Sequence, residues 1–321
     1  MMLPCYIYQT HASFKPSGSE NSLRIVLFKV VLFEMYLYSM QIIRWLVYSN
    51  CWIALGAVAI LQTGYLLLGQ DMHWDALAIL VFFATWGVYL LIRLVAKDRI
   101  GQYEKDDRWK FFFKNYGFMV GSVVLFFVIV AVLFFQLPVR VRWLLIGPGC
   151  ISMLYGLPLL SKNTRLRDVG IIKIFLIAIV WAFTGSFLPA AQVGVSVFSF
   201  QSILLFAAQF LFILGITIPF DIKDLEIDAI SDVKTIPSIL GTEWSYSLSF
   251  SLIFASAACH QWMLSSYNSS NLGVPVGVGL LITGMLIYAT QNSKNNLVYF
   301  FGIDGTIILQ WLLIYTYLRF S

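Results

Sequence analysis

The chain has 321 residues, a mean hydropathy of +0.82 and a formal net charge of +5. Charged residues make up 12% of it and hydrophobic residues 60%, whereas soluble domains carry about 25% charged residues. That composition excludes a soluble multi-domain protein and indicates a protein that lies mostly within a membrane.

Nine apolar stretches follow one another along the chain, each with roughly the 18 to 25 residues that a helix needs to cross a ~30 Å hydrocarbon core. Backbone that faces lipid must form its hydrogen bonds within helices or a closed barrel, so the sequence predicts an all-α, polytopic membrane protein. No inverted repeat or pair of broken helices, which are typical of secondary transporters, is evident. The predicted spans are 44–69, 74–96, 116–137, 141–160, 169–190, 200–219, 244–265, 273–290 and 297–318.

The first forty residues differ from the rest of the chain. They begin with an irregular polar segment and continue with a short apolar stretch that Lys29 and Glu34 interrupt. Neither the basic start nor the small-residue cleavage site of a signal peptide is evident. We predict that residues 1–40 are an N-terminal extension, either disordered or upstream of the true translation start, and that residues 41–321 form the transmembrane domain.

Basic residues are concentrated in the loops that follow even-numbered spans, most densely in residues 97–114 and 162–167. The positive-inside rule places such loops in the cytoplasm. The sequence therefore predicts a cytoplasmic N-terminus and places the acidic stretch at 220–241, which follows the sixth span, on the cytoplasmic face.

That acidic stretch reads FDIKDLEIDAISDVKTIPSILG, and its aspartates are spaced by 3, 4 and 4 residues from Asp221 through Asp224 and Asp228 to Asp232. Such spacing places them on one face of a helix, which we expect to begin after Pro219 has ended the sixth span. A solvated loop tolerates a run of acids, whereas Mg²⁺ binds one or two carboxylates together with substrate phosphates. The spacing alone leaves both interpretations open.

The same stretch is similar, without a gap, to the second aspartate-rich motif of the UbiA family of intramembrane prenyltransferases. That motif reads Asp-x-x-Asp-x-x-x-Asp, followed by a tail of the form Lys/Gln-Thr/Ser-Leu/Ile-Pro-x-x-Leu/Phe-Gly. Here it is Asp221, Asp224 and Asp228 followed by KTIPSILG at 234–241. The tail makes the resemblance much more specific than an acidic cluster alone.

Two further features agree with this resemblance, which covers about residues 44–318. Tyr155 and Pro158, near the end of the fourth span, resemble the Tyr-x-x-Pro signature of the family. Lys173, at the start of the fifth span, lies where members often carry a lysine that contacts phosphate.

The resemblance implies a UbiA-like bundle of about nine transmembrane helices with a central cavity that is accessible to lipid. It implies the transfer of a prenyl group from a prenyl diphosphate to an unknown acceptor, commonly an aromatic quinone precursor, with Mg²⁺ as the cofactor. Prenyl diphosphate and membrane lipid are the expected partners, and nucleic acid is not. The implied site residues are Asp224, Asp228, Lys173 and Tyr155 for catalysis, Arg93, Lys173 and Lys234 for diphosphate binding, and Asp221, Asp224 and Asp228 for the metal.

One departure from the family concerns its first motif, Asn-Asp-x-x-Asp-x-x-x-Asp, at the end of the second span. In the natural register this chain has Ile92 and Arg93 in place of Asn-Asp and Ala96 in place of the next aspartate. Arg93 is either a direct phosphate ligand, since a guanidinium binds phosphate bidentately, or a side chain that extends to the membrane interface. The alternative function is therefore a divergent, non-catalytic member that binds a lipid or a partner protein.

Overall fold

The computed structural model describes residues 39–95, 107–157, 166, 170–230, 233–267, 269–293 and 295–321. The chain divides into a first unit, Met1–Trp45, and a second, Leu46–Ser321. Of the first unit only residues 39–45 are described, so nearly all of the predicted extension at 1–40 lies outside the described residues.

The described residues form helices and no β-strand. A π-helical turn, Val298–Ile303, leads into the last helix, and a 3₁₀ turn, Ser270–Leu272, precedes the one before it. The helices are α1 Ser39–Tyr48, α2 Cys51–Leu67, α3 Ala76–Val95, α4 Asp107–Lys114, α5 Tyr116–Gln136, α6 Val139–Gly156, α7 Ile172–Val193, α8 Phe200–Lys223, α9 Leu225–Ile230, α10 Ile236–Leu240, α11 Thr242–Ser266, α12 Gly273–Thr290 and α13 Asp304–Phe320.

Each of the nine predicted spans corresponds to a helix of this bundle, which confirms the all-α fold class. By length and hydropathy, six described helices can cross a membrane: α3, α5, α7, α8, α12 and α13. The last two include the short turns that precede them. The count is seven if the bent pair α1 and α2 forms one span. The remaining two long helices are less apolar, because α6 carries Arg140 and Arg142 in its first turn and α11 contains several serines. The predicted number of nine crossings is therefore not confirmed by this criterion.

The prediction that Pro219 ends the sixth span is wrong. Helix α8 continues through Pro219 to Lys223. A proline inside a helix frees the carbonyl four residues earlier, which here belongs to Gly215. Ser249 on α11 supplies the missing donor, because its Oγ donates to the Gly215 carbonyl at 2.7 Å. A neighbouring helix can thus satisfy a proline-containing helix within a membrane, and α8 carries Asp221 as part of its last turn.

We expect Ser249→Ala to destabilise the protein by about 1–2 kcal/mol, because it leaves the buried Gly215 carbonyl without a donor. Ser251→Ala is the matched control, since Ser251 is exposed on the same helix and donates to the carbonyl of Ser247. Thermal unfolding of both variants in lipid nanodiscs checks this. Equal melting temperatures for the two variants would contradict the role of Ser249.

Helices α2 and α7 approach each other at two glycines. A side chain at Gly64 would collide with the carbonyl of Gly185 and would lie 2.7 Å from Cγ of Pro189. Small residues allow such close contact between helix backbones in membranes. This contact places α2 beside α7, the helix that supplies Lys173 and one wall of the cavity described below.

Candidate functional site

Lys173, in the first turn of α7, joins two of the predicted aspartates. Its Nζ lies 2.9 Å from Oδ1 of Asp221 and 3.1 Å from Oδ2 of Asp228. The side chains are only 15%, 5% and 16% exposed, in that order. Asp221 lies in the last turn of α8 and Asp228 lies on α9, so the ammonium group connects three helices at one end of the bundle.

Asp224 lies between α8 and α9, where the chain leaves helical geometry for one residue. The predicted continuous helical face is therefore interrupted there, although Asp221 and Asp228 still face the same ammonium; Asp232 lies outside the described residues. Burial raises the pKa of the Asp224 carboxyl, whereas the charges of Lys223, Arg108 and Lys173 oppose that rise.

Two cations are stacked on one aromatic ring beside this cluster. Arg108 of α4 has its Cζ 4.1 Å from the centroid of Phe300, and Lys223 Nζ lies 4.6 Å from the same centroid. Lys223 Nζ also lies 5.2 Å from the ring centroid of Tyr299. Cation–π contacts of this kind hold a charged group in place while leaving its charge intact. The site therefore has an acidic and a basic component side by side.

The predicted Lys234 lies at the same end of the bundle. Its side chain is exposed, and its backbone carbonyl lies directly against Gly170, whose φ of 40° is in the left-handed region and where a side chain would collide with that carbonyl. This contact fixes the motif tail next to the residue that leads into α7. Contact between Lys234 and a diphosphate stays a prediction.

Two of the three residues that replace the first motif are described, and neither supplies a carboxylate. Ile92 packs against Gly156 at the end of α6. The Nη1 of Arg93 donates to the carbonyl of Tyr48 at 2.6 Å. Ala96 lies outside the described residues.

A mainly apolar cavity begins about one helical turn after Lys173 along α7, at Leu176. It has a volume of about 80 Å³, which is smaller than the roughly 300 Å³ or more of a typical drug-sized site, and it is partly open to the surface. The predicted Tyr155 is one of its lining residues, whereas Pro158 lies outside the described residues. The cavity lies among α2, α3, α6 and α7 and is lined by Ala57, Thr85, Val88, Tyr89, Ile92, Ile151, Ser152, Tyr155, Leu176, Ile177, Val180, Trp181 and Thr184.

The arrangement of the predicted metal ligands does not match a divalent metal site. Among the described residues, no three His, Cys, Asp or Glu side chains are grouped so that they could hold a metal ion. The buried Asp221 Oδ2 has no hydrogen-bond partner within the part of the chain that the structure describes, whereas the other oxygen of that carboxylate, Oδ1, lies 2.9 Å from Lys173 Nζ. The ammonium of Lys173 already lies between the carboxylates of Asp221 and Asp228.

Sequence reasoning identified Lys173 and the three aspartates but missed Arg108 and Phe300. Arg108 is one of many basic residues before the third span, and Phe300 is one of 27 phenylalanines. No spacing within the sequence distinguishes either residue, because their contact joins segments that are far apart along the chain.

The comparison with family profiles gives a match to the UbiA prenyltransferase family over residues 116–302. This is more than half of the chain. The protein belongs to the UbiA family. No curated protein matches its sequence.

Solved UbiA homologues have the same fold at low sequence identity. The homologue from Archaeoglobus fulgidus bound to GPP and Mg²⁺ is 14% identical with a TM-score of 0.58, and the match covers 85% of this chain and 98% of that one. The apo homologue from Aeropyrum pernix K1 is 16% identical with a TM-score of 0.55, covering 86% and 98%. A structure of digeranylgeranylglyceryl phosphate synthase is 14% identical with a TM-score of 0.53, covering 87% and 99%.

Proposed function

We propose that this UbiA protein binds a prenyl diphosphate, with the diphosphate at the Lys173 cluster and the prenyl chain in the cavity, and transfers the prenyl group to an acceptor. The observation that carries the proposal is the arrangement of one face of α7. Lys173 is followed along that face by Leu176, Ile177, Val180 and Thr184, all of which line the cavity. A charged head and an apolar tail are the two parts of a prenyl diphosphate.

The diphosphate is held by cations in this proposal. Lys173 has three N–H donors, of which two face Asp221 and Asp228, and the third binds a phosphate oxygen in this proposal. Arg93 and Lys234 are the further diphosphate ligands that the family resemblance implies. Asp228 acts by orienting Lys173, and Asp224 acts by orienting Lys223 and Arg108.

Transfer breaks the bond between the allylic carbon and the diphosphate oxygen, and the diphosphate leaves with the electron pair. Positive charge near the leaving group stabilises the transition state. The allylic cation is stabilised by the ring face of Tyr155 at the cavity wall. The acceptor then forms the new bond to carbon and releases a proton.

The site faces the cytoplasm in this proposal, because the positive-inside rule places the basic loops there. The Archaeoglobus fulgidus homologue is bound to GPP and Mg²⁺, and a divalent ion in general can neutralise phosphate charge. Since the carboxylates of this chain are already bridged by Lys173, no step described above depends on a metal.

Purified protein in lipid nanodiscs, incubated with geranyl, farnesyl or geranylgeranyl diphosphate and a panel of aromatic quinone precursors, tests this function. We expect a prenylated product, and we expect Asp224→Ala to lower the rate at least about tenfold because Lys223 and Arg108 lose their acidic partner. Glu226→Ala is the matched control, an exposed acid two residues away. Absence of both binding and transfer for every chain length would overturn the proposal.

The second candidate is a non-catalytic member that binds a lipid or a partner protein. The bridge from Lys173 to Asp221 and Asp228 favours it, because aspartates held in this way stabilise the bundle without any substrate. This candidate predicts binding of prenyl diphosphate or another lipid without turnover, which the same assay distinguishes from catalysis.

A further inference from the structure

The position of Lys173 has a consequence for the metal chemistry of this site. A cation that contacts one oxygen from each of two carboxylates occupies the place in which a divalent ion would bridge them. Lys173 Nζ has that geometry, at 2.9 Å from Asp221 and 3.1 Å from Asp228. Because all three side chains are largely buried, their mutual attraction is only weakly screened by solvent.

The residues that replace the first family motif on α3 strengthen this observation. Where the family has a second set of carboxylates, this chain has the apolar side chain of Ile92 and the guanidinium of Arg93, which donates to the carbonyl of Tyr48. In the register of that motif, a positive charge has therefore replaced a negative one. A divalent ion at the acidic cluster would find no carboxylate from Ile92 or Arg93 and would be repelled by the ammonium beside it.

Two further positively charged side chains lie close to Asp224. Arg108 and Lys223 are held against Phe300 and act on Asp224 at the same end of the bundle. Ammonium and guanidinium groups bind phosphate oxygens directly. The anion-binding capacity of this end of the bundle thus depends on side chains of the protein.

We propose that the ammonium group of Lys173 takes the place of the divalent metal ion, bridging Asp221 and Asp228 to the phosphate of the ligand, so that this protein binds prenyl diphosphate without Mg²⁺. The identification of the ligand as a prenyl diphosphate rests on the proposed function. The position of the Lys173 ammonium between the two carboxylates does not. Lys173 is a substrate-binding residue in this role, with a charge of +1 where the metal would supply +2.

The internal cation is tested without any prenyl ligand, by electron paramagnetic resonance of Mn²⁺ added to the purified protein in nanodiscs. We expect no specifically bound Mn²⁺ in the wild type. In Lys173→Met the vacated position becomes available, and Mn²⁺ affinity should rise at least about tenfold, since an adjacent positive charge has been removed. The double variant K173M/D228N, which lacks one of the bridged carboxylates, should lose this gain.

Two outcomes would overturn the inference. One is a bound Mn²⁺ in the wild type that Asp228→Asn removes, which decides the question even if Lys173→Met does not fold. The other is a folded Lys173→Met protein with no gain in Mn²⁺ affinity.

The second arm measures thermal stabilisation by geranyl diphosphate in EDTA and in Mg²⁺. We expect equal shifts in both conditions for the wild type and a smaller shift in EDTA for Lys173→Met. A shift that appears only in Mg²⁺ would overturn metal-free binding. Absence of any shift in both conditions would count against the proposed function, while the Mn²⁺ measurements still decide whether Lys173 fills the metal position.

Discussion

Valine in place of Gly64 is expected to destabilise the bundle by about 3 kcal/mol or more, among the largest effects of any single substitution in this protein. The added side chain would have to occupy the space of the Gly185 carbonyl and would lie against Pro189. Neither group can move away easily. The carbonyl belongs to the backbone of α7, and Pro189 is a rigid ring that is buried within the same helix.

The matched control for this substitution is Gly121→Val on α5. Gly121 is also inside a long helix, is exposed, and has nothing within 4 Å of the position where a side chain would begin. Both variants change the intrinsic helix preference equally, so the difference between their melting temperatures in nanodiscs isolates the contact between α2 and α7. Similar melting temperatures would show that the two helices can separate without cost.

The helical stretches could be predicted from the sequence because a membrane imposes a simple rule. Backbone in lipid must form its hydrogen bonds locally, so each crossing needs a long apolar run. The same rule is less informative for α6 and α11, whose arginines and serines lower their hydropathy. Both were predicted as apolar runs, and neither is among the described helices that can cross a membrane by length and hydropathy.

Pro219 shows why a rule that considers one helix alone can give the wrong end of that helix. Its effect on α8 depends on Ser249, which lies on another helix and donates to the carbonyl that the proline frees. Sequence reasoning about one helix cannot include a donor from its neighbour. The consequence for the site is direct, because the uninterrupted helix brings Asp221 to Lys173.

The acidic residues of the site could be predicted, but not the partners that neutralise them. Spacing and the motif tail selected Asp221, Asp224 and Asp228. The bridging position of Lys173 and the stacking of Arg108 on Phe300 arise from tertiary packing. Such contacts decide whether an acidic cluster binds a metal, and they are invisible in the spacing of the acids.

Phenylalanine in place of Thr184 is expected to shorten the cavity and to weaken the binding of long prenyl diphosphates selectively. Thr184 is the cavity residue of α7 that lies farthest from Lys173, eleven residues or about 16 Å along the helix. A larger side chain there removes space from the end of the cavity and leaves the charged end unchanged.

The size of this effect follows from the apolar surface that the ligand can no longer bury. Burial of one methylene contributes about 0.8 kcal/mol, so exclusion of two methylenes lowers the affinity by roughly tenfold. Dimethylallyl diphosphate, whose chain is too short to reach Thr184, should bind the variant and the wild type equally. Geranylgeranyl diphosphate should show the largest loss.

Thr316→Phe on α13 provides the control, since the two threonines are alike apart from their surroundings. Each donates its hydroxyl to the carbonyl four residues earlier, Thr184 to Val180 and Thr316 to Leu312, but Thr316 is exposed and does not line the cavity. Titration of both variants with prenyl diphosphates of increasing length separates loss of the cavity from a general effect of a phenylalanine. Only a ligand that extends along α7 past Val180 contacts the new ring. A loss of affinity in Thr184→Phe that is the same for every chain length would therefore mean that the prenyl chain binds elsewhere.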